Sequence, residues 1–237
     1  MSYYVSVVNL SYFAELETDK VIRETYFRNF DYKGTMIEVG GATPDFLSMS
    51  RHFKLNGWRT IIIEPIPEFV QKHREFGNEV YEFAAGPDNY NDVPFQKVNW
   101  VNNPNNPITF HSLSSFSVKD EYLKIEGYEN GINDLLNHQH HVNERTGRKP
   151  EITEIKVNVR TLSSIYQFLG LKSIDILSID VEGYELDVLD GFSLYKYRPK
   201  VIVLENADGN PDYPAYMNDH GYKMDIQLKY NEIYIST

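Results

Sequence analysis

Short apolar runs alternate with amphipathic segments along most of the chain. The runs at 35–39, 60–63 and 174–180 have the length and β-branched content of buried strands. The segments between such runs carry apolar residues at helical spacing and end at glycine, as at Gly57 and Gly170. Strands that alternate with helices predict βαβ units and a mostly parallel sheet.

The pattern predicts an α/β fold with an antiparallel edge, because the last two apolar runs are joined by a short turn and read as a hairpin. Predicted strands cover 35–39, 60–63, 79–84, 155–159, 174–180, 201–204, 222–228 and 232–235. Predicted helices cover 18–30, 45–55, 68–76, 162–169 and 214–219, with one more that ends at Leu189.

The length of 237 residues suits one domain. We expect a helical segment within 1–34 ahead of the first strand. The sequence does not assign residues 88–116 to particular elements, and within them 102–107 carry turn chemistry, not regular structure. The polar stretch 119–150 reads as an insertion that covers the ligand edge of the sheet as a substrate lid.

Composition narrows the function classes. The net charge of −11 disfavours nucleic acid and anionic membrane surfaces as partners. The chain has no cysteine, which excludes disulfides, thiolate catalysis and Cys-based zinc sites. We see no signal peptide and no apolar run of the ~18 residues that span a bilayer, so we expect a cytoplasmic protein. The oligomeric state is not indicated.

The candidate chemistry begins where the first strand ends. Glu38 is followed by Gly40 and Gly41, and glycine lets ligand atoms approach the backbone. The helix expected behind this turn would present free N–H groups. Glu64 ends the second strand, where nucleotide-binding folds place the acid that binds ribose hydroxyls.

Four predicted strands end in or near an acid, and in a parallel sheet these ends share one edge, where ligands bind. One such acid means little, since acids often cap helices. Four together form the main functional signal of the sequence. They are Glu38, Glu64, Asp180 and Glu205.

These residues carry a resemblance to class I S-adenosylmethionine-dependent methyltransferases and, more narrowly, to the FkbM family of O-methyltransferases. The most specific stretch is 176–192, with the sequence ILSIDVEGYELDVLDGF. The resemblance spans about 11–235 and is weakest in 119–150. The chain departs from the family at Thr43-Pro44-Asp45, where a further glycine is usual, and at Ser163, where an acid is frequent. Supporting matches lie at 63–67, 84–86, 159–162 and 199–205.

The resemblance implies a Rossmann-like fold with seven strands, helices on both faces, and S-adenosylmethionine bound over the first two strands. The leading function hypothesis is methylation of a sugar hydroxyl on a glycan or glycosylated metabolite. The expected cofactor-binding residues are Glu38, Gly40, Gly41, Ala42, Glu64, Pro65, Ala84 and Ala85.

Methyl transfer to an alcohol needs a base, and Asp180 and His111 are the candidates. Asp180, Glu182 and Glu205 form the alternative, a site for Mg²⁺ or Mn²⁺ that acidifies a bound diol. The metal ligands stay unassigned, because the spacing is not diagnostic.

Each candidate also has an ordinary structural interpretation. Glu182 and Glu185 suit the N-terminus of a helix, and His111 suits an ordinary loop. Other function classes stay open as well: methylation of a non-sugar hydroxyl, a nicotinamide oxidoreductase, or a non-catalytic binding module. The absence of a GxGxxG after the first strand counts against the oxidoreductase. A histidine cluster with the look of a metal site and a basic group suited to an anionic acceptor are both better explained as solvated surface loops; they are His138, His140, His141, Arg145, Arg148 and Lys149.

Overall fold

The computed structural model describes residues 9–100, 115–116 and 150–237. The strands are β1 (Thr35–Val39), β2 (Arg59–Ile63), β3 (Glu79–Tyr81), β4 (Ala84–Ala85), β5 (Tyr90–Trp100), β6 (Ser115–Phe116), β7 (Pro150–Arg160), β8 (Ile176–Ile179), β9 (Val201–Glu205), β10 (Tyr222–Leu228) and β11 (Asn231–Ser236). The helices are α1 (Thr18–Tyr26), α2 (Arg51–Leu55), α3 (Pro67–Glu75), α4 (Leu162–Phe168), α5 (Glu185–Asp190), α6 (Leu194–Tyr197) and α7 (Asp212–Asp219), with a 3₁₀ turn at Glu15–Glu17.

A seven-stranded sheet in the order β10-β11-β9-β8-β1-β2-β3 forms the centre of the fold. The inner pairs β1–β2, β1–β8 and β8–β9 are parallel, as is β2–β3. Strand β11 runs antiparallel to both β9 and β10. The predicted α/β class, the mostly parallel sheet and the antiparallel C-terminal hairpin are therefore confirmed.

Both faces of this sheet are covered, because successive strand residues point to opposite sides. One face packs Ile37 and Leu177 with residues of α4, α5 and α7. The opposite face packs Met36 and Ile176 with Ile22 of α1 and with residues of α2. The central strands are buried on both faces, which explains why they read as continuous apolar runs in the sequence.

The chain divides into two compact units, 1–91 with 158–237 and 92–157. A second sheet has the strand order β4-β7-β5-β6. Within the second unit, β5 pairs with β6 in antiparallel fashion, and Phe95 lies opposite Phe116. The predicted single domain with a lid at 119–150 stays a prediction, since 119–149 lie outside the described residues. Among the described helices, none combines the length and apolarity needed to cross a membrane.

Two predicted elements end earlier than expected. The first helix stops at Tyr26 and not at 30, because Phe27 leaves the helical region and its ring packs edge-on against Trp58 at 4.9 Å. The third strand of the large sheet stops at Tyr81. Residues 84–85 form β4 instead, which pairs with the end of β7.

The helix predicted from Asp45 begins only at Arg51. Pro44 disfavours helical backbone at the preceding residue. Leu47 has φ +53 and forms a parallel bridge with Ala14, so the intervening loop is held in a non-helical path. The prediction of a helix directly behind the glycine turn was wrong.

Candidate functional site

Four carboxylates gather at one edge of the large sheet. Glu38 is the fourth residue of β1, Glu64 follows β2, Asp180 follows β8, and Glu205 ends β9. These four strands are parallel neighbours in register, so their carboxyl ends meet at the same edge. This is the edge where open α/β sheets bind ligands.

Glu38 organises the loop behind the glycine turn. Its Oε1 accepts a hydrogen bond from the Met49 N–H at 2.8 Å, and its Oε2 accepts from the Ser50 N–H at 3.3 Å and from the Ser50 hydroxyl. Burial, with a smaller contribution from the charge of Asp180, raises the pKa of Glu38 to about 7. Amides that would otherwise be free ahead of α2 are thus bound internally.

Glu64 holds the two turns that flank it. Its Oε2 accepts from the Ala42 N–H at 2.9 Å, and its Oε1 accepts from the Ile66 N–H at 2.8 Å. The side chain is buried, and this burial raises the pKa of Glu64 to about 8. When it is ionised, the side chain offers about four acceptor positions, so each oxygen then keeps a further lone pair.

The two glycines of the turn are explained by packing inside the protein. Gly40 has φ +82, and a Cβ there would lie 1.8 Å from the Asp180 carbonyl oxygen. A Cβ on Gly41 would lie 2.3 Å from the Cγ2 of Ile62. Their assignment to cofactor binding, like that of Ala42 with its φ of +40, stays a prediction.

Asp180, Glu182 and Glu205 form an acidic cluster. One carboxylate oxygen from each lies within 4.8 Å of the others. Asp180 is exposed and the other two are half-buried, so the cluster faces solvent. The carboxyl groups of Asp180 and Glu205 share a hydrogen bond, which requires a proton between them.

Crowding makes these three acids hard to ionise together. The protein around Asp180 removes water from part of the side chain, and this desolvation raises its pKa to about 6. The pKa values of Glu182 and Glu205 are raised well above the usual range, mainly by desolvation and secondly by the charge of Asp180. Three carboxylates within reach of one cation fit oxygen coordination of Mg²⁺ or Mn²⁺, although acidic clusters are common without a metal.

The sequence itself decides the family. Residues 38–224 match the model of the methyltransferase FkbM domain, which is well over half of the chain. The protein belongs to the FkbM methyltransferase family. The match begins at Glu38 and includes Glu64, Asp180 and Glu205, so all four strand-end acids fall within the FkbM domain.

The chain also resembles a solved FkbM structure. This is the crystal structure of methyltransferase FkbM from Methylobacillus flagellatus KT, with 13% sequence identity and a TM-score of 0.49. The similarity covers 89% of this chain and 46% of that chain, so this protein spans under half of the relative's length. No curated protein matches the chain at a significant level.

The stretch 176–192 covers β8, α5 and the turn between them. Glu182 has φ +58 there, an unusual conformation for a residue with a side chain, and Gly183 follows with φ +95. Glu185 supports this turn. It is fully buried, accepts from the Val181 N–H at 2.9 Å and the Gly183 N–H at 3.3 Å, and also accepts from the Tyr213 hydroxyl.

Two further residues near the cluster have no signal in the sequence. The charge of Glu15, on the 3₁₀ turn, helps to raise the pKa of Asp180. Tyr230, on the turn between β10 and β11, hydrogen-bonds Glu15 and lies near the charges of Glu205 and Asp180. Both come from parts of the chain remote from the FkbM motif, so only the fold brings them to the cluster.

The remaining predicted site residues lie elsewhere or outside the described residues. Ala84 and Ala85 are buried and pair with Val159 and Arg160 of β7. Pro65 is half-buried between Glu64 and Ile66. His111, the histidines of 138–141 and the basic residues of 145–149 fall outside the part of the chain that the structure describes, and their roles stay predictions.

Proposed function

We propose that the chain transfers a methyl group from S-adenosylmethionine to a hydroxyl of a neutral sugar. The observation that carries the proposal is the placement of Glu38, Glu64 and Asp180 on neighbouring parallel strands, within the span that matches the FkbM domain. Family membership supports methyl transfer in general. The cofactor, the hydroxyl and the sugar are our inference.

The donor set fits this cofactor chemically. S-adenosylmethionine presents ribose hydroxyls, an ammonium and a positive sulfonium, and carboxylates suit all of these groups. Glu64 would hold the ribose through its remaining lone pairs, and Glu38 would keep the neighbouring loop in place. When bound, the cofactor supplies a methyl group already activated for displacement, so positioning provides much of the rate.

Asp180 is our candidate for the base. A hydroxyl is a weak nucleophile at neutral pH, and a positioned base contributes typically ~10²–10⁴-fold. With a pKa of about 6, Asp180 is mostly ionised at pH 7 and can accept the hydroxyl proton. Glu205, whose pKa is higher, donates its proton to Asp180 in the resting cluster. His111 stays the other candidate base.

The charge of the cluster guides our choice of acceptor. Asp180, ionised at pH 7, and the nearby Glu15 carry negative charge, so an anionic acceptor would be repelled. A neutral, hydroxyl-rich sugar supplies hydrogen-bond donors to them without added charge.

We extend the proposal to the absence of nucleic-acid and membrane partners, which the net charge of −11 supports, and to a cytoplasmic location.

A divalent cation forms a variant of the same proposal. Mg²⁺ or Mn²⁺ held by Asp180, Glu182 and Glu205 would offset their mutual repulsion and acidify a bound diol. The close approach of the three oxygens supports this variant. Turnover that is abolished by a chelator and restored by either ion would favour it over a base acting alone.

The proposal is tested by label transfer. The protein is incubated with methyl-labelled S-adenosylmethionine and, separately, with neutral sugars, acidic sugars and phenols, each with and without Mg²⁺. We expect label on neutral sugars, little on acidic ones, and at least about tenfold slower labelling with Asp180→Asn. The exposed acid Asp219 supplies the matched control, since Asp219→Asn removes a charge at the far end of α7.

Two alternatives give distinct results in the same assay. Label on phenols but not on sugars would indicate a non-sugar hydroxyl as acceptor. Cofactor binding with no transfer to any acceptor would support a non-catalytic methyltransferase-like module. Family membership leaves the nicotinamide oxidoreductase without support.

A further inference from the structure

We infer that Glu185 is a positioning residue that fixes the geometry of the acidic cluster by joining the turn after β8 to the segment after β9. This inference rests on the proposed function only in treating the cluster as catalytic. We call the hydrogen bonds that Glu185 accepts from Val181, Gly183 and Tyr213 the joint. They connect parts of the chain that carry different members of the cluster.

One side of the carboxylate holds the turn after β8. Oε1 of Glu185 accepts from the N–H groups of Val181 and Gly183, which flank Glu182 on both sides. Glu182 lies in the left-handed region at φ +58, a conformation that is unfavourable for a residue with a side chain and persists only when its surroundings impose it. The two hydrogen bonds impose it, and they also fix the backbone that leads from Asp180.

The other side of the carboxylate reaches the segment after β9. Oε2 of Glu185 accepts from the hydroxyl of Tyr213, a buried residue of α7. The start of α7 is tied to the end of β9 by a reciprocal pair, in which Asn206 Nδ2 donates to the Asn210 carbonyl and the Asn210 N–H donates to Asn206 Oδ1. Asn206 directly follows Glu205. The pairing of β8 with β9 places Asp180 beside Glu205, and Glu185 adds a second link between the segments that follow these two strands.

The alternative is that Glu185 only places a charge at the start of α5. Two observations favour the positioning role. Glu185 is fully buried, where a carboxylate is costly unless its hydrogen bonds are satisfied. Its partners lie mainly outside its own helix, in the preceding turn and on α7, although it also accepts from its own N–H. A simple charge at a helix end needs neither feature.

The test compares Glu185→Gln, Glu185→Ala and Tyr213→Phe. Glutamine keeps the size and one acceptor oxygen for Val181 and Gly183, whereas alanine removes both contacts. Amide hydrogen exchange is followed by NMR at Val181 and Gly183. The amides of Leu177 and Ile179 in β8 serve as internal controls, because they lie in the preceding strand but outside the joint.

We expect exchange at Val181 and Gly183 to be at least about tenfold faster in Glu185→Ala, as for a lost hydrogen bond to a charged acceptor. Glu185→Gln should stay within about threefold of the parent protein. The control amides should not change in either variant. Uniform acceleration of all four amides, or no change at Val181 and Gly183, would overturn the positioning role. If Glu185→Ala fails to fold, Tyr213→Phe decides: intermediate acceleration supports the joint, and none overturns it.

A second readout links the joint to chemistry. With the acceptor found by label transfer, Glu185→Ala or Tyr213→Phe should lower kcat at least about tenfold while the Kd for S-adenosylmethionine stays within about threefold. Faster exchange with unchanged kcat would overturn the catalytic part of the inference. A parent protein that transfers no methyl group would refute the proposed function instead, and the exchange data would still decide the structural joint.

Discussion

Gly40 and Asp180 meet through their backbones. A Cβ on Gly40 would lie 1.8 Å from the carbonyl oxygen of Asp180, and Gly40 has φ +82. The Asp180 N–H in turn donates to the Val39 carbonyl at 3.0 Å. The glycine turn after β1 therefore holds in place the residue that we propose as the base. This backbone contact requires glycine at position 40 whether or not a ligand binds.

Substitution of Gly40 tests this contact. We expect Gly40→Ala to lose about 2–4 kcal/mol of unfolding free energy in denaturant titrations, because it adds a backbone clash to the strain of a positive φ. Gly77→Ala is the matched control, since Gly77 has φ +68 and a Cβ there would meet no described atom within 4 Å. The control should lose only about 1 kcal/mol. Equal losses would contradict the clash.

Removal of the Asp180 charge should separate chemistry from binding. We expect Asp180→Asn to keep the Kd for S-adenosylmethionine within about threefold and to lose at least about tenfold in turnover, because asparagine cannot accept a proton. The base acts only when ionised, so turnover of the parent protein should fall as the pH drops through about 6. A flat profile across this range, or unchanged turnover in the variant, would remove Asp180 from its role.

The raised pKa of Glu64 makes folding stability depend on pH. Its pKa is about 8 in the folded protein against the usual value of 4.5, so the folded state binds the extra proton between these values. Stability from this group is complete below pH 4.5 and is lost as the pH rises toward 8. A full proton difference changes the unfolding free energy by about 1.4 kcal/mol per pH unit.

Glu64→Gln removes this titration. We expect the unfolding free energy of the parent protein to decline relative to the variant between about pH 5 and about pH 7.5, by at least about 1 kcal/mol in total. Chemical denaturation at several pH values measures the difference. Parallel curves for the two proteins would show that Glu64 is ionised in the folded state.

Arg23 is a buried cation without a hydrogen-bond partner in the part of the chain that the structure describes. Its guanidinium lies 4.0 Å from the centre of the Phe30 ring, and burial lowers its pKa. Because the desolvation of such a group exceeds its cation–π attraction, we expect Arg23→Met to raise the unfolding free energy by about 1 kcal/mol or more. Arg23→Lys keeps the charge and should not raise the unfolding free energy. A lower unfolding free energy in Arg23→Met would contradict this prediction.

Much of the fold could be predicted because its signals are local. The buried strands β1, β2, β8 and β9 are short apolar runs, and the acids at their ends are visible in the sequence. The C-terminal hairpin is predicted within about one residue of the observed bounds at Tyr222–Leu228 and Asn231–Ser236.

The features that the sequence does not reveal depend on contacts between distant residues. Glu38 accepts a hydrogen bond from the Ser50 N–H, so α2 begins later than predicted. No local pattern in the sequence indicates this contact. Glu185 looks like a helix-terminal charge until Tyr213 of α7 is placed beside it. Gly40 looks like a ligand-facing glycine until Asp180, far along the chain, is seen to fill the space.

Calorimetric titration with S-adenosylmethionine tests the central claim most directly. The parent protein and Glu64→Ala are each titrated with S-adenosylmethionine and, separately, with NAD, with and without Mg²⁺. The account predicts that the parent protein binds S-adenosylmethionine and not NAD, and that Glu64→Ala binds it at least about tenfold more weakly, as expected for the loss of a buried hydrogen-bonding group that leaves its partners unsatisfied. No binding by the parent protein, or an unaltered Kd in Glu64→Ala, would contradict the account.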